Sequence, residues 1–310
     1  MLKTSLGPKE DATSVAYLRP ETAQAMFVDF AQVLASSRKR VPFGIAQMGK
    51  AFRNEITPGN FVFRTREFEI MEFEYFVHPS EWEKYFAHFL EQMHEWIAEC
   101  GIDTAKSHEL EVSAEDRAHY SSRTVDIEFD YPFGRKELYG LAYRSDFDLK
   151  NHSQHSGKEL VYTDPNTNEK YTPHVVEPAF GLDRTFLAVL LSAYDEEMGD
   201  DGEKRIILHL KPHLAPVKVA ILPLMKKEEL VHIAKPLAEN LAKEFAVEYD
   251  ETQSIGKRYR RQDEIGTPFC VTIDYDSLED KAVTVRERDS MKQERVSLEK
   301  LPEYLKEKIA

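Results

Sequence analysis

Residues 43–77 read FGIAQMGKAFRNEITPGNFVFRTREFEIMEFEYFV. Two extended runs, Phe43 to Asn54 and Phe61 to Val77, flank Thr57-Pro58-Gly59-Asn60. Proline presets one turn dihedral, and glycine and asparagine accept positive φ, so this tetrapeptide reverses the chain. The stretch therefore predicts a long antiparallel hairpin. With a two-residue period, Arg64, Arg66, Phe68, Ile70, Glu72 and Glu74 share one face of the second strand. A guanidinium, a phenyl ring and a carboxylate then follow one another at four-residue steps, each roughly 13 Å. Arg53 and Glu55 share a face of the first strand beside the turn. Such a rigid row suits an elongated ligand with an anionic end, a flat ring and a cationic group. On spacing alone, a solvated face of cross-strand ion pairs explains the same pattern.

Outward from the hairpin, Pro20-Glu21-Thr22-Ala23-Gln24 opens a helix to about Leu34, with Ala23, Met26, Phe27, Phe30 and Leu34 on one side. Trp82 to Cys100 reads as an amphipathic helix ended by Gly101. Runs at Val125–Phe129, Leu138–Tyr143 and His174–Glu177 extend an antiparallel sheet, and Gly181 to Tyr194 is an apolar helix. Pro212-His213-Leu214-Ala215-Pro216 interrupts both helix and sheet ladders and reads as a linker. We therefore expect two domains, 1–211 and 212–310. In the second, Val217–Leu222, Val247–Asp250, Phe269–Ile273 and Ala282–Val285 read as strands, with a helix over Lys226–Phe245. Alternating strands and helices predict a mostly parallel sheet with helical cover, so the whole is an α+β core followed by an α/β domain.

The chain has 310 residues, 42% hydrophobic and 31% charged, which excludes bulk disorder. Its net charge of -14 excludes a histone-like coat of positive charge. The acid is uneven: residues 216–310 carry a net of -2 and residues 1–215 a net of -12. Two cysteines, Cys100 and Cys270, cannot build a disulfide scaffold or a four-cysteine zinc site. With no apolar run of 18 residues and no signal-peptide core in the first twenty, the expectation is a cytoplasmic protein without membrane partners. No Walker A loop and no GxGxxG occurs, so a nucleotide would have to use a sheet face. His152 and His155 lack a cysteine partner and an HExxH frame, and read as a loop rather than a metal site.

Phe52-Arg53-Asn54-Glu55, a loop, then Arg64-x-x-x-Phe68-x-x-x-Glu72 resembles motif 2 of class II aminoacyl-tRNA synthetases. Glu177-Pro178-Ala179-Phe180-Gly181-Leu182-Asp183-Arg184 resembles motif 3. Tyr17-Leu18-Arg19-Pro20-Glu21-Thr22-Ala23-Gln24, and the run Gly140 to Leu149, are similar to the homodimeric type of glycyl-tRNA synthetase. The region from 217 resembles the anticodon-binding domain shared by the glycyl, histidyl, prolyl and threonyl enzymes. The resemblance implies a class II catalytic core with an antiparallel sheet, ATP and Mg2+ as cofactors, and glycine and tRNA(Gly) as partners.

It also implies roles. Arg53 would hold the α-phosphate and the glycine carboxylate, because its planar fork suits two oxygens at once. Glu55 would contact the adenine amino group and Phe68 would stack on the ring. Arg64 and Arg184 would meet the outer phosphates, and Arg53 and Arg184 would be the catalytic pair. Glu137 would help to place Mg2+, with Glu177 as a second acid for the metal or the ligand. Glu21, Glu72 and Glu177 would surround the glycine ammonium and fill the space of a side chain, since a pocket rejects a methyl group only by bulk. Read alone, without the resemblance, Glu21 is better explained as a carboxylate facing a helix dipole. Lys257, Arg258, Arg260 and Arg261, with Arg286 and Arg288, would contact tRNA.

Two departures stand out. Ala179 occupies a position where the family usually has serine. Motif 1, the dimer-building segment, is not found before Arg19. The chain therefore reads as partial, with the expectation of a missing dimer surface and low activity. Two other readings are a non-catalytic relative that binds nucleic acid or assembles with partners, and a class II enzyme for alanine or serine.

Overall fold

The computed structural model describes residues 1–7, 14–198, 202 and 204–309. Contacts divide the chain into two units, Met1–Glu99 with Asp103–Ala188, and Cys100–Ile102 with Val189–Ala310.

The first unit is built on six antiparallel strands: β1 (Phe43–Phe52), β2 (Glu67–Val77), β3 (Ser107–Glu111), β4 (Arg123–Tyr131), β5 (Gly134–Ser145) and β6 (His174–Gly181). Their order across the sheet is β1-β2-β6-β5-β4-β3. Motif 3 thus lies between the hairpin and the later strands, with Ala179 opposite Glu72 and Glu177 opposite Ala142.

Alternation along the strands gives the sheet two different faces. On one, α2 (Trp82–Glu99) covers aromatic side chains. Tyr75 meets Tyr85 and Phe89, Trp82 stacks on Tyr143 at 3.9 Å, and Phe180 meets Tyr139 and Trp96. On the other, α1 (Ala23–Ser37) sits over one end only. Its Phe27 and Phe30 pack with Phe43, Phe76, Leu149 and Val175, and the Phe30 and Phe76 rings are 4.7 Å apart. Each buried phenyl contributes roughly 1.5–3 kcal/mol, which anchors α1 at this end. Helix α3 (Phe147–Ser156) lies beside it. Past the N-terminus of α1 the same face carries Glu72, Ile70 and Phe68, and it opens there as a cleft.

The hairpin is shorter than the sequence predicts. Asn60 and Phe61 have φ of 56° and 55°, and Gly59 pairs back onto Arg64, so the loop extends to Arg66. Arg64 and Arg66 therefore leave the strand row, whereas Phe68, Ile70, Glu72 and Glu74 keep it. His152 and His155 lie on α3 rather than in a loop.

Helix α4 (Leu182–Ala193) contains the division between the units. The second unit has a hairpin of β7 (Tyr194–Met198) and β8 (Lys204–Leu208), then β9 (Val219–Pro223), α5 (Glu228–Leu241), β10 (Val247–Tyr249), α6 (Ile255–Glu264), β11 (Phe269–Ile273), β12 (Ala282–Glu287), β13 (Gln293–Ser297) and α7 (Leu301–Ile309). The sheet order is β10-β9-β11-β12-β13. The sheet is mixed: β9 runs parallel to β10 and β11, and β12 and β13 turn antiparallel. Strands β9 and β11 are buried on both faces. Val219, Ile221, Val271 and Ile273 meet Leu230, Leu241, Leu301 and Leu305, while Ala220, Leu222 and Cys270 meet Ile255 and Tyr259 of α6. Among the described residues no helix is long and apolar enough to cross a membrane.

Candidate active site

The cleft has a volume of about 420 Å³ and lies wholly within the first unit. At its inner end the carboxylates belong to separate elements. Glu72 comes from β2 and is buried; its Oε2 accepts from the Thr22 amide at 2.7 Å and from the Thr22 hydroxyl. Thr22, the N-cap of α1, thus gives both its N–H and its hydroxyl to Glu72, and its side chain caps no amide of the helix. Glu177, from β6, accepts from Arg144 Nη1 at 2.8 Å. Arg144, from β5, also donates to both oxygens of Asp148, at 2.7 and 2.9 Å, and its guanidinium lies 3.8 Å from the Tyr120 ring centre. Glu21 lines the same end, just before α1.

Burial lifts the Glu177 carboxyl, opposed by the adjacent Arg144 guanidinium. Glu74 is fully buried, and neither of its oxygens has a hydrogen-bond partner. Burial first, then the Glu177 charge, raises its carboxyl well above the ordinary range. The inner end therefore brings Glu21, Glu72 and Glu177 together with a single guanidinium, Arg144, and a cation bound there would favour their ionised forms.

In the middle of the cleft, the Arg53 guanidinium lies 5.1 Å from the Phe68 ring centre, and Arg53 Nε donates to the Pro20 carbonyl at 3.2 Å. Glu55 faces Arg64 at 3.8 Å. Both Arg53 and Glu55 sit just beyond β1, where the Arg53 amide still bonds to the Arg66 carbonyl at 3.0 Å. At the outer end, Arg184 in the first turn of α4 meets Glu137 at 3.1 Å and packs over the Phe63 ring. Asp126 stands nearby: a Cβ at Gly140 would lie 3.6 Å from Asp126 Oδ1 and 3.8 Å from Glu137 Oε1. Desolvation, then Glu137 and Glu128, push the Asp126 carboxyl up to about 7.

The sequence reading is thus redistributed. Arg53, Glu55, Arg64, Phe68, Glu72, Glu137, Glu177 and Arg184 all line one cleft, with Glu21. Glu177 does not join Glu137. It pairs opposite Ala142, five residues further along β5, and its buried carboxylate is taken by Arg144. Arg144, Asp148, Thr22, Tyr120 and Asp126 had no assigned role. Arg144 and Asp148 were visible as an i, i+4 pair inside a quoted motif, but the pairing gave no sign that it would be buried.

Residues 8–194 match the family model described as "tRNA synthetase class II core domain (G, H, P, S and T)". The chain belongs to the class II tRNA synthetase family. Residues 218–308 match a model described as an anticodon binding domain. Curated relatives named glycine--tRNA ligase are 55% identical in Clostridium acetobutylicum, over all of this chain and 66% of the relative, and 54% identical in Streptomyces coelicolor, over all of this chain and 69% of the relative. A third, from Thermobifida fusca, is 50% identical over 69% of its length. The chain spans about two thirds of the length of these relatives.

Within the anticodon-binding unit of this class II chain, the structure withdraws three of the six basic residues expected to meet nucleic acid. Arg258 is 1% exposed and donates to the carbonyls of Pro223, Leu224 and Asp250. Arg286 is buried and forks onto Asp263 at 2.9 and 3.1 Å. Arg288 is buried and donates to the carbonyls of Gly266 and Leu210. On α6 the period of 3.6 turns Arg258 inward toward the sheet while Lys257 stays exposed. Arg261 pairs with Asp250. Burial puts the Cys270 thiol up to about 12, so it is a packing residue and not a nucleophile.

Proposed function

We propose that this chain activates glycine with ATP to form glycyl-adenylate and transfers the glycyl group to tRNA(Gly). The reading rests on one observation: an excess of buried carboxylate at the inner end of a cleft whose centre carries Arg53 and Phe68. Family membership and the names of the relatives support it. Residues 1–211 would carry the chemistry and 212–310 the tRNA contact, with Lys257 and Arg260 as contacts. The two free cysteines suit a reducing cytoplasm, and the homodimeric type that the motifs resemble supports pairing of two copies in the intact enzyme.

The carboxylate of glycine attacks the α-phosphorus of ATP, and pyrophosphate leaves with its electron pair. The 2′- or 3′-hydroxyl of the terminal tRNA ribose then attacks the glycyl carbonyl, and AMP leaves. No protein nucleophile is required, so the residues act by position and charge. Glu72, Glu177 and Glu21 hold the ammonium; Arg53 spans the carboxylate and the α-phosphate. Phe68 stacks on the adenine, an exchange for its present contact with Arg53, and Glu55 accepts from the adenine amino group. Arg64 and Arg184 take the outer phosphates, Arg184 from a helix start that already favours anions.

The donor chemistry fits Mg2+ at the outer end, where the Asp126 and Glu137 carboxylates both face Gly140 and Asp126 is raised by desolvation and then by Glu137 and Glu128. Glu137 and Asp126 would hold it, and it would neutralise charge on the phosphate oxygens. Ala179 lies opposite Glu72 and offers no hydroxyl, so the ammonium depends wholly on carboxylates there.

Glycine-dependent exchange of pyrophosphate into ATP tests the reading. Exchange with glycine that Arg53→Ala abolishes supports it. Exchange with alanine or serine in place of glycine would move the substrate, and no binding of ATP would favour a non-catalytic relative.

A further inference from the structure

One side-chain amide connects the half-buried Glu21 carboxylate of the cleft to its buried ion pairs, and nothing above assigns it a role. Glu21 lies in no helix or strand. Its Oε1 accepts from Gln24 Nε2 at 2.9 Å, across the first turn of α1. The same Gln24 nitrogen faces Asp148 Oδ1 at 3.3 Å. The Gln24 oxygen accepts from His152 Nε2 of α3 at 2.8 Å. These contacts define the amide orientation: the nitrogen meets two carboxylates, so the oxygen must meet a donor, and His152 carries its proton on Nε2. Asp148 is in turn held by Arg144, which holds Glu177. A continuous set of hydrogen bonds therefore runs from His152 on α3, through Gln24 on α1, to both Glu21 and the Arg144 group.

We propose that Gln24 is a positioning residue: its amide, fixed by His152, aims the Glu21 carboxylate at the amino-acid end of the cleft. This rests on the reading of that end as the glycine ammonium site. A glutamate outside regular structure has three freely turning side-chain bonds, and ordering them on ligand binding weakens affinity. With Oε1 held by Gln24, that ordering is complete before the ligand arrives and Oε2 is left for the ammonium. Glu21 and Glu177, from different elements, are thereby set in one frame.

Gln24→Met keeps the length of the side chain and removes the amide. His152→Ala removes its outer support from a partly exposed surface of α3. In glycine-dependent pyrophosphate exchange by the intact protein, Gln24→Met is expected to raise the glycine KM roughly tenfold, with kcat, the ATP KM and Tm close to those of the parent. His152→Ala should raise the glycine KM by a smaller factor. The double variant should be no worse than Gln24→Met alone, because the two act through one link. A glycine KM within about twofold of the parent in Gln24→Met overturns the proposal, as does an equal rise in the ATP KM or full additivity of the two changes. If the parent shows no glycine dependence, the reading of the site falls and takes this inference with it; if the parent is glycine-dependent and Gln24→Met is indistinguishable from it, this inference alone falls.

Discussion

Arg144 Nη1 lies 2.8 Å from Oε1 of Glu177, while Nε and Nη2 of the same guanidinium take the two oxygens of Asp148. All three side chains are nearly inaccessible to water. One fork therefore organises acids from a strand and a helix. Replacing it strands two buried carboxylates, and breaking a buried pair in this way costs about 3–5 kcal/mol. We expect Arg144→Met to lose about that much stability in chemical denaturation. Arg144→Lys keeps the charge but not the fork, so it should lose less stability and still raise the glycine KM by about tenfold or more. Unchanged kinetics in Arg144→Lys would show that the fork does not shape the site.

Glu74 supplies the pH prediction. Its carboxyl is buried without a hydrogen-bond partner, between Glu72 on its own strand and Glu177 and Arg144 across the sheet, and its pKa is raised well above the ordinary 4.5. A raised acid favours the folded state when protonated. That contribution is fully present below the unfolded value and is lost as pH rises through the folded one. Glu74→Gln keeps the shape without the charge. Its Tm should match the parent near pH 4 and exceed it increasingly as the pH rises. Parallel Tm curves for the two proteins would mean that Glu74 does not change its charge in this range.

Much of this was legible from residues 43–77, because a turn with proline and glycine between two long runs fixes an antiparallel pair, and a two-residue period then fixes which side chains share a face. Phe68, Glu72 and Glu74 follow that period. Arg64 escapes it because Asn60 and Phe61 adopt positive φ, a choice that the composition of a loop does not dictate. In the second unit the four anticipated strands form, but β7, β8, β13, α6 and α7 were not anticipated. Helix α6 begins at Ile255 and carries Lys257 to Arg261, a run whose charge hides the spacing of Ile255, Tyr259 and Gln262 on its inner side. Burial of arginine was invisible for the same reason: sequence shows a charge, and only packing shows that Asp263 or a row of carbonyls is waiting for it.

The outer and inner ends of the cleft should separate in their demand for metal. Glu137 stands with Asp126 and Arg184, whereas Glu177 is committed to Arg144. Glu137→Gln is expected to raise the Mg2+ concentration for half-maximal exchange roughly 10–100-fold. Glu177→Gln should leave that concentration unchanged and raise the glycine KM. A shift in Mg2+ demand in Glu177→Gln would return Glu177 to the metal.

The basic residues of the second unit should likewise divide between stability and binding. Asp263 accepts from Arg286 and from Arg205 and is 1% exposed. Arg286→Ala leaves that buried carboxylate with one cation instead of two, so we expect a loss of about 2–4 kcal/mol in denaturation, seen with or without tRNA. Arg258→Ala strips three backbone carbonyls of their donor and should cost about 1–3 kcal/mol. Lys257→Ala removes an exposed charge from the outer side of the same helix. Its stability should stay within about 0.5 kcal/mol of the parent. Its tRNA affinity should fall, and the slope of log affinity against log salt should become shallower by about 0.7–0.9, as for one lost phosphate contact. Filter binding across a salt series, run beside denaturation of the same three variants, distinguishes them: a salt slope altered by Arg286→Ala under conditions where it is fully folded would put that guanidinium back on the RNA.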